Sequence, residues 1–133
     1  MWMLDTDTCS YILRSRPPAA VARLVRTPRG EIGISTVVLA ELLCGAERLP
    51  NRIPLRKYIA EFASGLVHRA WDDSAARHYG FIRAELDRKG APLSAMDLMI
   101  AAHARSLNAV LVTNNTKHFS RVPNLKLDNW ALR

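Results

Sequence analysis

Short apolar runs alternate along this chain with longer stretches that space their apolar residues at helical intervals. That alternation narrows the possible folds more than any other feature. Met1-Trp2-Met3-Leu4-Asp5, Glu31-Ile32-Gly33-Ile34, the run from Leu66 to Trp71 and Ala109-Val110-Leu111-Val112 read as strands. Leu125-Lys126-Leu127 reads as a short fifth. Helices are expected over residues 8–15, 17–26, 35–49, 53–63, 74–89 and 94–107, opened by Pro17-Pro18, Ser35 or Thr36, and Ser94. Strands that alternate with helices indicate an α/β sandwich around a mainly parallel sheet of four or five strands. The unbroken apolar run at 109–112 suits a central parallel strand covered on both faces. In such sheets ligands gather beyond the carboxyl ends of the strands. Asp5 ends the first strand, Ser35 follows the second, and Thr113-Asn114-Asn115 follows the fourth, so all three address one rim.

At 133 residues, with no linker, repeat or low-complexity tract, the whole chain 1–133 reads as one domain able to bury a real core. No apolar stretch approaches the roughly 20 residues needed to span a bilayer. Asp5 interrupts the N-terminus at once, which argues against a signal peptide. Cys9 and Cys44 make no disulfide framework, so a reducing cytoplasmic setting and ordinary apolar packing of both are expected. The net charge is +7, and most of the 19 Lys and Arg are Arg, the better fork for phosphate oxygens. Such a balance is an argument about partners, and a polyanion such as nucleic acid is the natural one.

Against this basic background three acids sit in apolar settings: Asp5, Glu41 within Val37-Val38-Leu39-Ala40-Glu41-Leu42-Leu43-Cys44, and Asp97 at the head of Asp97-Leu98-Met99-Ile100-Ala101-Ala102. Desolvating an unpaired carboxylate is costly. Asp97 has an ordinary explanation, because Ser94-Ala95-Met96-Asp97 has the form of a capping box. Glu41 has none, since Val37, Val38, Cys44 and Gly45 at helical spacing cannot pair with it. A buried carboxylate there requires a raised pKa or a cation beside it. Asp7 stands two residues from Asp5, where it either caps the next helix or adds charge that a divalent ion would relieve. Acids distant in sequence that converge in a fold form a site for a hard metal. His68, His78, His103 and His118 lack metal-ligand spacing and read as surface or packing residues.

Leu4-Asp5-Thr6, Ala40-Glu41-Leu42-Leu43-Cys44-Gly45-Ala46-Glu47, Asp97 with Ile100-Ala101-Ala102-His103-Ala104, and Val112-Thr113-Asn114-Asn115 with Phe119 resemble, in order and spacing, the four motifs of PIN-domain nucleases. The chain is most similar to the VapC toxins of type II toxin–antitoxin pairs. Ile82-Arg83-Ala84-Glu85-Leu86 with Lys89-Gly90 and Pro92 resembles the enteric branch that cuts initiator tRNA in its anticodon loop. The resemblance implies a three-layer α/β/α sandwich and a Mg²⁺- or Mn²⁺-dependent endoribonuclease acting on single-stranded RNA. Asp5, Glu41 and Asp97 would be its metal ligands. Asn115 stands where many relatives carry a fourth Asp, and Asp7 where they usually carry Asn. Thr6, Ser35 and Thr113 would support the site through hydroxyls, and Arg83 would hold RNA or lie on a solvated helix face. The resemblance further implies a cognate antitoxin, a homodimer with contacts from the Leu39 and Ile59 helices, and a larger assembly with the antitoxin.

Two other readings remain open on sequence alone. Asp5-Thr6-Asp7-Thr8 after an apolar strand fits the nucleophile motif of haloacid-dehalogenase-like phosphatases, with Lys57 as the required lysine and Asp72-Asp73 as the acidic pair. That reading leaves Glu41 and Asn115 unexplained. A non-catalytic basic RNA-binding module whose acids are only helix caps explains Asp97 but not Glu41.

Overall fold

The computed structural model describes residues 1–132. Along the chain run β1 (Trp2–Leu4), α1 (Thr6–Leu13), α2 (Pro18–Arg26), β2 (Ile32–Ser35), α3 (Thr36–Glu47), α4 (Arg52–Ser64), β3 (Val67–Arg69), α5 (Asp73–Arg88), α6 (Ala95–Ser106), β4 (Val110–Val112), α7 (Thr116–Phe119) and β5 (Lys126–Asp128). The strands form one five-stranded sheet in the order β3-β2-β1-β4-β5. Every neighbouring pair is parallel. The sheet is thus wholly parallel, because each strand is followed by helix and no hairpin can return the chain beside itself.

The strand order fixes the layers. The chain steps outward from β1 to β2 to β3, then crosses the whole sheet to β4 and continues to β5. Right-handed crossovers put α1 to α4 on one face and α5 to α7 on the other. Packing agrees: α1 lies on α2 and α3, α3 on α4, and α5 on α6. The result is the expected α/β/α sandwich, with one core running from Met3 to Trp130. Both faces of the interior strands are covered, so Ile32, Ile34, Leu111 and Val112 are buried and their segments are apolar but for Ser35 at the end of β2. Gly33 sits between β1 and β3, where an added Cβ would lie 2.7 Å from the Met3 sulfur.

Differences from the sequence reading lie at the ends of elements. The third strand is Val67–Arg69, not the whole run to Trp71, since an edge strand has one neighbour and Trp71 N–H donates instead to Thr36 Oγ1 at 3.3 Å. Helix α1 begins at Thr6, two residues early, because Asp5 supplies its cap. The four-residue α7 was not expected, being too short to show a period. Cys9 packs in the core as expected, whereas Cys44 is exposed. Among the described residues no helix is long and apolar enough to cross a membrane.

Leu111 is fully buried in the interior strand β4. Leu111→Ala should therefore cost about 2–5 kcal/mol in a urea titration. A loss below about 1 kcal/mol would mean that the sheet centre is not the core described here.

Candidate active site

The connections leaving β1 and β4 diverge to opposite sides, so a crevice opens between their carboxyl ends. Asp5 is the first residue beyond β1, and Thr113 the first beyond β4. The two are fastened together by backbone: Asp5 N–H donates to Val112 O at 3.0 Å, and Thr8 Oγ1 donates to the same oxygen at 3.1 Å. Asp5 itself caps α1 by accepting from Thr8 N–H at 2.8 Å. Its side chain is buried, with 5% of its surface exposed. Burial raises its pKa, while the Thr113 hydroxyl and the Thr8 N–H and hydroxyl draw it partly back, and the nearby Asp7 adds a small rise. Among the described residues no Lys, Arg or His forms an ion pair with Asp5.

Glu41 projects from α3 and accepts from Thr6 Oγ1 at 2.6 Å, so a residue of α1 ties the second acid to the first. Two expectations change here. Glu41 is half-buried rather than buried, and its partner comes from another helix, 35 residues away, not from its own. Ser94 caps α6 by accepting from Asp97 N–H at 3.2 Å, as expected. The Asp97 carboxylate does not complete the capping box; its Oδ2 lies 3.0 Å from His118 Nε2. Its lack of ligand spacing marks His118 as a surface or packing side chain, whereas the structure makes it the partner of Asp97. Its place in the segment between Asn115 and Phe119 was the available signal, but only tertiary structure brings α7 over α6.

The remaining candidates divide. Thr113 is buried, and its hydroxyl accepts from Asn115 N–H at 3.0 Å, shaping the loop after β4. Asn115 is exposed, and its amide makes no side-chain hydrogen bond among the described residues. Asp7 is exposed at the second position of α1. It therefore cannot be the cap, a place Asp5 already fills, but its charge lies favourably near the helix N-terminus. The Ser35 hydroxyl caps α3 through Val37 N–H at 3.1 Å and meets His103 Nδ1 at 2.8 Å, so it supports the helices rather than the acids. His103 is a buried packing histidine whose pKa burial lowers. Arg83 is exposed on α5, where it donates to Tyr79 Oη at 2.6 Å and takes no part in the bonds around the acids. Ile59 is buried, and Leu39 half-buried, against the core. The same two helices, α3 and α4, leave Leu43, Ile53 and Tyr58 exposed, with Leu49 in the turn between them.

Among the described residues no three Asp, Glu, His or Cys side chains approach closely enough to enclose an ion by direct contact. The donor set is nonetheless all hard oxygen, and one carboxylate is buried without a cation. That arrangement suits a divalent ion that keeps part of its water shell, as Mg²⁺ does with one or two carboxylates. Beside the acids a groove of about 510 Å³ runs from Thr6, Asp7 and Glu41 over Leu13, Leu42, Leu49, Leu55 and Ile59.

The sequence matches the PIN domain over residues 2–125. It is 41% identical to the tRNA(fMet)-specific endonuclease VapC of Shigella flexneri over 132 residues, 98% of each chain. It is 37% identical to ribonuclease VapC2 of Haemophilus influenzae strain Rd, again over 98% of each. The fold superposes with a TM-score of 0.92 on a chain of the DNA-bound VapBC of Salmonella typhimurium, at 38% identity and 97% coverage of both. The chain belongs to the PIN-domain family and, within it, to the VapC group. The phosphatase reading falls with this assignment.

The raised pKa of Asp5 fixes the sign of a stability effect. A carboxyl whose folded pKa lies above its unfolded value binds more protons folded, so stability is greatest below the unfolded value and falls as pH climbs to the folded one. Asp5→Asn, which keeps a good cap, should remove that fall and melt at or above wild type at pH 7 in chelator. Melting curves from pH 3 to 7 would show it, and a variant that melts lower throughout would mean the charge itself stabilises the fold.

Proposed function

We propose that the chain is a metal-dependent endoribonuclease toxin that hydrolyses one phosphodiester bond in the anticodon loop of initiator tRNA, acts in the cytoplasm, and is neutralised by a cognate antitoxin. The observation that carries the reading is Asp5: a buried carboxylate that, among the described residues, has no cationic partner, at the carboxyl-end crevice of a chain with net charge +7. Identity of 41% along nearly the whole length to a tRNA(fMet)-specific endonuclease supports the substrate.

Asp5, Glu41 and Asp97 would hold Mg²⁺ or Mn²⁺, which when bound supplies Lewis-acid polarisation of the phosphate and a more acidic attacking water. The protein's own contribution is to keep these carboxylates where they are needed. Thr8 and Thr113 fix Asp5, Thr6 fixes Glu41, and His118 fixes Asp97. Asn115 offers a neutral amide to orient water or a phosphate oxygen, and it adds no charge. A loop presents splayed phosphates that a duplex does not, which suits an open crevice. Arg83 and the other exposed cations grip the backbone without reading sequence.

Several solved relatives are VapBC toxin–antitoxin complexes, including those of Rickettsia felis and Salmonella typhimurium. The groove beside the acids supports the same partnership here. It offers an apolar floor for a partner's segment and ends at Asp7 and Glu41, where a basic side chain would meet them. The exposed Leu43, Leu49, Ile53 and Tyr58 are available to a second copy of the chain or to the antitoxin.

Incubation with total tRNA, and mapping of the new ends, tests the whole proposal. One cut in the initiator anticodon loop is expected; cleavage spread over many tRNAs would remove the substrate and leave the nuclease. Activity should vanish in EDTA and return with Mg²⁺ or Mn²⁺, and undiminished cleavage in chelator by repurified protein would end the metal mechanism. Asp5→Asn, Glu41→Gln and Asp97→Asn should each lower kcat at least about a hundredfold. Expression without a partner should arrest growth, and the Asp5→Asn variant should not; harmless expression of active protein would leave a nuclease that is no toxin.

A further inference from the structure

The far end of the α5–α6 hairpin carries a second cluster that the acid centre does not use. Two adjoining hollows of about 430 and 260 Å³ share His78, Phe81 and Arg105, with Arg77 on one side and Asn108 and Asn124 on the other. Asn108 and Asn124 precede β4 and β5, so the cluster lies at the opposite edge of the sheet from Asp5 and Thr113. Three residues of β4 separate the two edges, at least about 10 Å at the usual rise of a strand.

Arg105 is held in place. Its Nε donates to His78 Nδ1 at 2.9 Å, its Nη1 donates to Pro123 O at 3.1 Å, and its guanidinium lies 5.4 Å from the centre of the Phe81 ring. The group is half-buried, and among the described residues no carboxylate forms an ion pair with it or with Arg77. The acid that feels Arg77, Asp72, is occupied as the cap of α5. Removing a charge from water without a counter-ion is unfavourable, and burial accordingly lowers the Arg105 pKa. Acceptance of the Arg105 bond at Nδ1 leaves the neutral His78 ring with its other nitrogen as a donor, and burial with the two arginines keeps it neutral. Phe81 stands 60% exposed at the lip, so much of its ring is open despite the Arg105 contact.

We propose that this cluster is a second nucleic-acid site, in which Arg105, Arg77 and His78 bind a backbone phosphate of the RNA and Phe81 stacks on an adjacent unpaired base, remote from the cut. The inference rests on the reading of the substrate as RNA. Its chemistry is that of single-strand grooves, where cations follow the phosphates and an aromatic face takes a base of any identity. An anion would supply the counter-charge that the protein withholds from Arg105. A base would cover Phe81. Placed at the opposite edge from the acids, the site adds affinity for a long RNA without touching the reacting phosphate.

The test is RNA affinity by fluorescence anisotropy in an Asp5→Asn background, which leaves the RNA uncut. Arg77 and Phe81 are exposed, so Arg77→Gln and Phe81→Leu leave the packing intact. Each should weaken binding of a stem-loop with single-stranded flanks about tenfold, as loss of one stacked base or phosphate contact does. Arg77→Gln should also lower the salt slope of log affinity by about 0.7. Phe81→Tyr should restore binding, which a merely structural role for the ring would not require. Unchanged affinity in both variants overturns the proposal. Binding of inorganic phosphate at these arginines with RNA affinity unchanged overturns it too, as an adventitious ion only. Cleavage by the unmodified protein, measured separately, decides the nuclease reading independently of either result.

Discussion

Holding the Asp5 carboxylate out of water is the constraint around which the rest of this structure is arranged. An unpaired carboxylate costs several kcal/mol to desolvate, and no cationic side chain among the described residues offsets that. Neutral donors do part of the work: Thr8 through its N–H, and Thr8 and Thr113 through their hydroxyls. The Thr113 hydroxyl is within reach only because β1 and β4 are adjacent, which in turn requires the chain to leave β3 and cross the sheet, whereas the Thr8 N–H is local to the α1 cap. The topology and the residual cost on Asp5 are therefore one fact. What remains uncompensated is the free energy a divalent cation would recover.

The other two acids are held by single bonds from separate elements. Thr6 reaches Glu41 from α1, and His118 reaches Asp97 from α7. Each bond orients a carboxylate without neutralising the crevice as a whole. Asp5, Glu41 and Asp97 thus stand in a chain whose charge is otherwise dominated by an excess of arginine. The net charge of +7 attracts a polyanion to the protein as a whole, while the crevice itself carries acids. Attraction and chemistry are separated in space, which suits an enzyme acting on RNA.

The alternation of short apolar runs with amphipathic stretches was sufficient to read the parallel sheet, because strands buried on both faces leave no polar positions in their sequence. Ser35 and Ser94 were readable as caps because capping is local. Asp5, Glu41 and Asp97 stood out because acids in apolar runs are rare. Where the reading failed, the missing information was not local. Glu41 lacked a partner only within its own helix. Asp7 looked like a cap until Asp5 was seen to occupy that position. His118 had no ligand spacing because its partner lies 21 residues away on another helix.

By itself, then, the sequence determined what depends on near neighbours: the type and order of the elements, their caps, the buried runs and the identity of the acids. Periodicity and capping act over a few residues, so one chain suffices to show them. Only the tertiary structure decided which hydroxyl meets which carboxylate, how deeply each acid is buried, and that Arg105 is held beside an exposed Phe81 with no counter-ion among the described residues. Those properties depend on contacts between elements far apart in sequence, and a linear pattern carries no record of them.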